Sequence, residues 1–152
     1  MARPAPQADA RGWWWLWERF TSVHAALYRL SRGRIGGTFM DAPIALVESV
    51  GRRSGKRRVH PLICERAGDN FVVVASKGGI DNHPAWYLNL VADPETTMNW
   101  RGQMHRVRAR EAEGAERERL WEKMVGTYRP YADYQRRTER RIPVLVLEPI
   151  GS

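Results

Sequence analysis

Three short apolar runs separated by turn residues, between Ile44 and Ala75, restrict the fold of this chain more than any other feature. Ile44 to Val50 is a nearly continuous apolar run, GRRSGK turns the chain, and Arg58 to Glu65 runs back. Ala67, Gly68, Asp69 and Asn70 turn it again into Phe71 to Ala75. Runs this short, bounded by turn signals, are strands rather than helices, and turns this tight make successive strands antiparallel. Pro61 falls inside the second run. Lacking an amide hydrogen, it cannot donate to a ladder, so an edge or a bulge is expected there.

The pattern continues downstream. Thr96–Trp100 and His105–Ala112 form a further hairpin around Gly102, its second arm alternating Arg106, Arg108 and Arg110 with Val107 and Ala109. Pro143–Glu148 reads as a closing strand. Between these lie helices. Pro84 opens one that ends at Asp93-Pro94, with Asn89 as its inward-facing polar residue. Gly114 opens another that carries Leu120, Trp121, Met124, Val125 and Tyr128 on one stripe. Tyr128, Tyr131 and Tyr134 then step by three residues across Pro130. The expected class is α+β, with mainly antiparallel strands and flanking helices, and 152 residues suffice for one domain with a real core.

Residues 1–11 are rich in Ala and Pro and are expected to be a disordered tail. Residues 12–33 carry Trp13, Leu16, Trp17, Phe20, Val23, Leu27 and Leu30 at helical spacing, so an N-terminal amphipathic helix precedes the main domain at 34–152. Trp13, Trp14, Trp15 and Trp17 crowd within five residues, flanked by Arg11 and Arg19. Such a cluster suits peripheral contact with a membrane interface or the cap of a ligand pocket, and equally a helix docked on its own domain or on a homodimer partner. The sequence holds no run of eighteen apolar residues and no signal-peptide layout. With Cys64 alone there is no internal disulfide framework, so the expected place is the cytoplasm, extending to the inner face of the membrane if the helix binds there.

Function is indicated by charge. Lys plus Arg number 25 against 17 Asp plus Glu, giving +8, a balance suited to an acidic ligand, nucleic acid or an anionic surface. Five of the seven residues from Arg52 to Arg58 are basic, and Gly51 and Gly55 bracket the turn. A second device follows at Ser76, Lys77, Gly78 and Gly79, where backbone N–H groups and a lysine can make an anion-cradling nest. Two anion sites suggest one long anionic ligand. The usual catalytic motifs are absent, and His24, His60, His83 and His105 do not stand at metal-ligand spacing, so no metal is expected. An enzyme of this composition would take its chemistry from an organic cofactor.

GRRSGKRRVHPL, followed by VVVASKGGIDNHPAWYLNL and the later YRPYADYQ, resembles the deazaflavin (coenzyme F420)-dependent nitroreductase family, from about Arg29 to Pro149. The resemblance implies a split β-barrel with flanking helices and hydride transfer from reduced F420 to a quinone, an activated alkene or a nitroaromatic. It also implies that Arg52, Arg53, Ser54, Lys56 and Arg58 hold the phosphate and acidic tail of the coenzyme. Pro61, Leu62, Ile63 and Cys64, with Ser76, Lys77, Gly78 and Gly79, would seat the ring and linker, and Trp86 and Asn89 would line the same cavity. Tyr128, Tyr131 and Tyr134 correspond to the substrate-side tyrosines. The sequence departs from nitro-reducing members after Pro61-Leu62, where Ile63 and Cys64 stand in place of an aromatic.

Two other readings compete. A related split barrel binds FMN in place of F420. A basic binding module, with Arg106, Arg108 and Arg110 as a second charged strip, would grip nucleic acid or anionic lipid; the resemblance argues against nucleic acid.

Overall fold

The structure, a computed structural model, describes residues 38, 39 and 41–151. The expected tail, the amphipathic helix and the Trp13–Trp17 cluster lie outside the described residues. In order, the elements are strands β1 (Thr38–Phe39), β2 (Ala42–Val50), β3 (Arg57–Ala67) and β4 (Asn70–Val74), then a short 3-10 turn (Lys77–Gly79) and helix α1 (Ala85–Ala92). Strands β5 (Glu95–Trp100) and β6 (Gln103–Glu111) follow, then helices α2 (Gly114–Thr127) and α3 (Pro130–Arg137), and strand β7 (Val144–Pro149).

The strand order is β1-β2-β3-β4-β7-β6-β5, and β2 also pairs with β5, which closes six antiparallel strands into a barrel. The hairpin turns follow the sequence. Arg101 and Gly102 both take positive φ, 51° and 86°, the left-handed pair that a two-residue turn between right-twisted strands requires. Glu95 to Trp100 then meet Arg108 to Gln103 in unbroken register.

The register of β2 on β3 is likewise continuous through the Leu46–Pro61 pair, so Pro61 sits at no bulge. It sits at an edge instead: β4 pairs with Cys64–Ala67, and among the described residues the first part of β3 has no strand partner on that side. The missing N–H of proline therefore costs the sheet nothing there. The segment before β2 contributes β1, whose Thr38 and Phe39 pair with Pro43 and Ala42.

Strand alternation sorts the apolar residues into two cores. Ala45, Val47, Cys64, Phe71, Val73, Leu145 and Leu147 point into the barrel, where Trp86 and Leu90 of α1 plug one end. Val72, Val74, Val144 and Val146 point outward and are covered by Leu120 and Met124 of α2 and by Tyr128 and Tyr131. Strands β4 and β7 are thus buried on both faces, which explains why their sequences read as continuous apolar runs. Phe71 is fully buried, with the Trp100 ring 5.7 Å away and Arg66 over its own ring at 4.8 Å. Truncating it to alanine is expected to cost about 3–5 kcal/mol.

Candidate functional site: a basic turn, a left-handed loop and a tyrosine cluster

The basic turn is the connection between β2 and β3. Gly51 N–H donates to the Lys56 carbonyl at 2.8 Å and Gly55 N–H to the Gly51 carbonyl at 2.8 Å, while Ser54 Oγ accepts from the Lys56 amide at 3.3 Å. These bonds occupy the backbone and leave the side chains outside: Arg52, Arg53, Lys56 and Arg58 are all exposed. Among the described residues, Arg53 and Lys56 form no ion pair.

A buried polar chain fixes the base of this turn. Asn89 of α1 is 4% exposed, and its Oδ1 accepts from the Arg52 backbone N–H at 3.1 Å and from Arg52 Nη1 at 3.4 Å. Its Nδ2 donates to Ser49 Oγ at 3.1 Å, and Ser49 Oγ is hydrogen-bonded to His60 Nε2 at 2.8 Å. Because arginine and the amide only donate, the carbonyl end of Asn89 must face Arg52. Burial, and then the Arg58 charge, lower the His60 pKa to about 4, so this ring is neutral in the chain.

The loop after β4 is the second device. Ser76 and Gly79 are buried, whereas Lys77 and Gly78 face outward. Lys77, Gly78 and Gly79 all take positive φ, at 45°, 66° and 79°. For Lys77 that conformation is costly and persists only where the surroundings impose it. A Cβ added to Gly79 would stand 2.5 Å from the Tyr134 carbonyl oxygen, so only glycine lets α3 sit this close. Nothing lies within 4 Å of a Cβ added at Gly78, which leaves open space above the turn.

The three tyrosines meet. Tyr128 and Tyr131 rings are 4.9 Å apart edge to face, and Tyr131 and Tyr134 6.2 Å apart. Tyr128 and Tyr134 hydroxyls are 3.0 Å apart. Burial and this hydrogen bond push the Tyr128 pKa up to about 12, and burial raises Tyr131 further. Both are therefore neutral hydroxyl donors at ordinary pH. The cluster adjoins the left-handed loop through Tyr134 and packs against Ile63 on the outer face of β3.

The other expected site residues divide. Pro61 is exposed on the open side of β3, whereas Leu62 packs half-buried against the barrel interior. Cys64 is fully buried, its thiol pKa raised by burial, which makes it a core residue with no access to a ligand through its side chain. Trp86 is a core residue as well, 8% exposed. Arg140, on the connection between α3 and β7, escaped the sequence reading: it donates to the carbonyls of Ala75, Ser76 and Ile80. The arginine strip on β6 is neutralised. Arg106 and Arg108 pair with Glu95, and Arg110 with Glu116 and Glu148. Among the described residues no cluster of His, Cys, Asp or Glu is arranged for a metal, and no helix is long and apolar enough to cross a membrane.

The donor set suits a coenzyme with a polyanionic tail. The exposed Arg53 and Lys56, which form no ion pair among the described residues, suit phosphate and carboxylate oxygens, and the open space above Gly78 admits a ligand close to the backbone. Comparison with known proteins agrees. The family model for F420H(2)-dependent quinone reductases matches residues 19–149. An F420H(2)-dependent quinone reductase of Mycobacterium tuberculosis is 36% identical over 129 residues, covering 82% of this chain and 87% of its own. The solved structure of an F420-H2 dependent reductase, FDR-A, superposes with a TM-score of 0.65 at 42% identity, over 70% of this chain and 94% of that one. A structure described as a domain-swapped dimer superposes at 0.67 with 38% identity, over 88% and 97% of the two chains. The chain belongs to the F420H(2)-dependent quinone reductase family, an oxidoreductase family whose cofactor is F420.

Proposed function

We propose that the basic turn, the Ser76–Ile80 loop and the tyrosine cluster form one site, in which reduced F420 reduces a quinone. When bound, the coenzyme supplies a hydride. The observation that carries the reading is the Arg52–Asn89 contact, which ties the basic turn to the helix that follows the left-handed loop. Arg52, Arg53, Lys56 and Arg58 hold the acidic tail, and Ser54 adds a hydroxyl. Backbone of Ser76–Gly79, with Lys77, seats the part of the coenzyme nearer the ring, beside the open edge of β3 at Pro61, Leu62 and Ile63.

Hydride transfer needs the acceptor held about 3–3.5 Å from the donor carbon in a dry place, and it needs no protein nucleophile. The negative charge developing on a quinone oxygen does need a hydrogen-bond donor. The Tyr128–Tyr134 hydroxyl pair provides one: one hydroxyl donates to the other, and the hydrogen of the acceptor hydroxyl remains for the substrate. Tyr134→Phe is expected to lower menadione turnover about a hundredfold or more, with F420 affinity unchanged. Wild-type turnover in both Tyr134→Phe and Tyr128→Phe would move the proton source to solvent.

Side-by-side fluorescence titration with F420 and FMN tests the cofactor. Saturable binding of FMN alone would overturn the reading. The Trp13–Trp17 stretch supports a further proposal, that the protein meets its quinone at a membrane surface. Deleting residues 1–20 should release it from anionic vesicles, and unchanged sedimentation with them would discard this. Likeness to the domain-swapped structure supports a homodimer, for which a monomer mass in solution would be decisive against.

A further inference from the structure

Lys77, Gly78 and Gly79 form a consecutive left-handed stretch, and something must hold a lysine there at φ 45°. Part of the restraint comes from α3, whose Tyr134 backbone presses on Gly79. Local bonding adds two links, from Gly79 N–H to the Ser76 carbonyl at 2.9 Å and from Ile80 N–H to the Lys77 carbonyl at 3.5 Å. The rest converges on one guanidinium. Arg140 donates from Nη2 to the Ser76 carbonyl at 2.7 Å, from Nη1 to the Ala75 carbonyl at 3.2 Å and from Nε to the Ile80 carbonyl at 2.8 Å. Ala75 and Ser76 precede the left-handed stretch and Ile80 follows it, so a single planar fork staples its two ends together.

Arg140 is itself anchored. Gln135 Nε2 donates to its carbonyl at 2.8 Å, its own N–H donates to Thr138 Oγ1 at 3.2 Å, and Thr138 Oγ1 donates to Asp81 Oδ1 at 2.8 Å. A fourth contact concerns His83, whose Nδ1 lies 3.2 Å from Arg140 Nη1. Arginine has no acceptor, so Nδ1 must accept and the ring proton resides on Nε2. Burial and the Arg140 charge lower the His83 pKa, opposed by Glu111. The Tyr87 ring lies against it, centroids 4.7 Å apart and tilted by 42°, and its hydroxyl donates to Glu111 at 2.9 Å. Arg140, Tyr87 and Glu111 are the groups that set the state of His83.

We propose that Arg140 is a positioning residue for coenzyme binding: it clamps the Ala75–Ile80 loop in its left-handed turn against α3 and fixes His83 beside it as the neutral, Nε2-protonated ring. The proposal rests on the reading that this loop seats F420. Lysine carries charge but not the planar fork, so a lysine substitution separates geometry from charge.

The test compares Arg140→Lys and Arg140→Ala with Arg141→Ala, a neighbouring exposed arginine whose ion pair, among the described residues, is with Glu118. Amide exchange and the ring nitrogen shifts of His83 are measured without coenzyme, then reduced F420 is titrated. Both Arg140 variants are expected to speed exchange at residues 77–80 while β2 and β5 keep their protection. His83 should become a mixture of tautomers that titrates at higher pH. The F420 Kd should rise roughly tenfold or more, with kcat at saturating coenzyme reduced less than Kd is raised. Arg141→Ala should match wild type. Unchanged loop exchange and a single His83 tautomer in both Arg140 variants would overturn the clamp, as would exchange that accelerates equally across β2 and β5, the mark of general destabilisation. If wild type itself fails to bind F420, the coenzyme-site reading falls, while exchange and tautomer, read without coenzyme, still decide the clamp.

Discussion

Two arginine-rich stretches of similar composition, Arg52–Arg58 and Arg106–Arg110, have opposite fates in the fold. Strand β6 places Arg108 across the ladder from Glu95, with Arg106 reaching the same carboxylate diagonally, and Arg110 between Glu116 of α2 and Glu148 of β7. The two acids beside Arg110 stabilise its charged form and raise its pKa. In the basic turn, Glu48 lies 3.8 Å from Arg57, while Arg53 and Lys56 form no ion pair among the described residues. The lesson is that charge count does not identify a binding surface. What identifies it is cationic charge left without carboxylates at a turn whose backbone is already satisfied.

The largest effect is expected from the uncompensated side. Arg53→Ala combined with Lys56→Ala should weaken F420 binding by roughly 1.5–3 kcal/mol for each charged hydrogen bond removed, and the loss should shrink as salt rises. Wild-type affinity in the double variant at low salt would mean that the tail lies elsewhere and that the two stretches do not differ in function.

A second prediction sharpens the comparison through the chain that supports the turn. His60 has its folded pKa lowered to about 4 from an ordinary 6.5, so its contribution is present above pH 6.5 and is lost as pH falls through 4. A shift of that size corresponds to about 3 kcal/mol of stability across the window. Urea unfolding of wild type should show the loss between pH 6.5 and 4, and His60→Gln should flatten that part of the profile. An unchanged slope in the variant would assign the acid sensitivity to other groups.

Asn89→Ala should come next. It leaves the Ser49 hydroxyl and the Arg52 amide without their buried partner, a cost of about 1–3 kcal/mol in urea unfolding. It should also reduce F420 affinity, which a purely packing role would not do. The smallest effect is expected at Arg108→Gln, where a fully exposed pair is removed from the neutralised strip. Neither midpoint nor coenzyme affinity should change measurably. A fall in F420 affinity there would break the distinction between the two regions.

Much of this was legible in the chain because it is local. Strand limits, the Gly68-Asp69 and Arg101-Gly102 turns, the helix after Pro84 and the inward Asn89 each follow from periodicity or turn chemistry within a few residues. Pro61 announced an edge or a bulge, and only the pairing partner of β3 decides between them. The neutral β6 strip depends on cross-strand register with Glu95 and Glu148, which no local pattern encodes. Arg140 reaches the left-handed loop from about sixty positions away along the chain. Ser49 and His60, ordinary strand residues by sequence, acquire their role from a helix that arrives forty residues later. Long-range polar contacts of this kind are invisible to periodicity. A hint did exist for Arg140: a basic residue just after a helix, in a connection too short to wander.

Strand β7 joins β4 to β6, and among the described strands it is the last in chain order. Strands β2-β3-β4 and β5-β6, joined by the β2–β5 pairing, can form while synthesis continues, but the seam between β4 and β6 stays open until Val144–Pro149 emerges. The Ala75 amide also waits, since its acceptor is the Pro143 carbonyl. A nascent chain halted at Ile142 should therefore be cut readily by protease within β4, and one extended past Pro149 should resist. The protein then acquires the capacity to bind its coenzyme abruptly, at the moment β7 emerges.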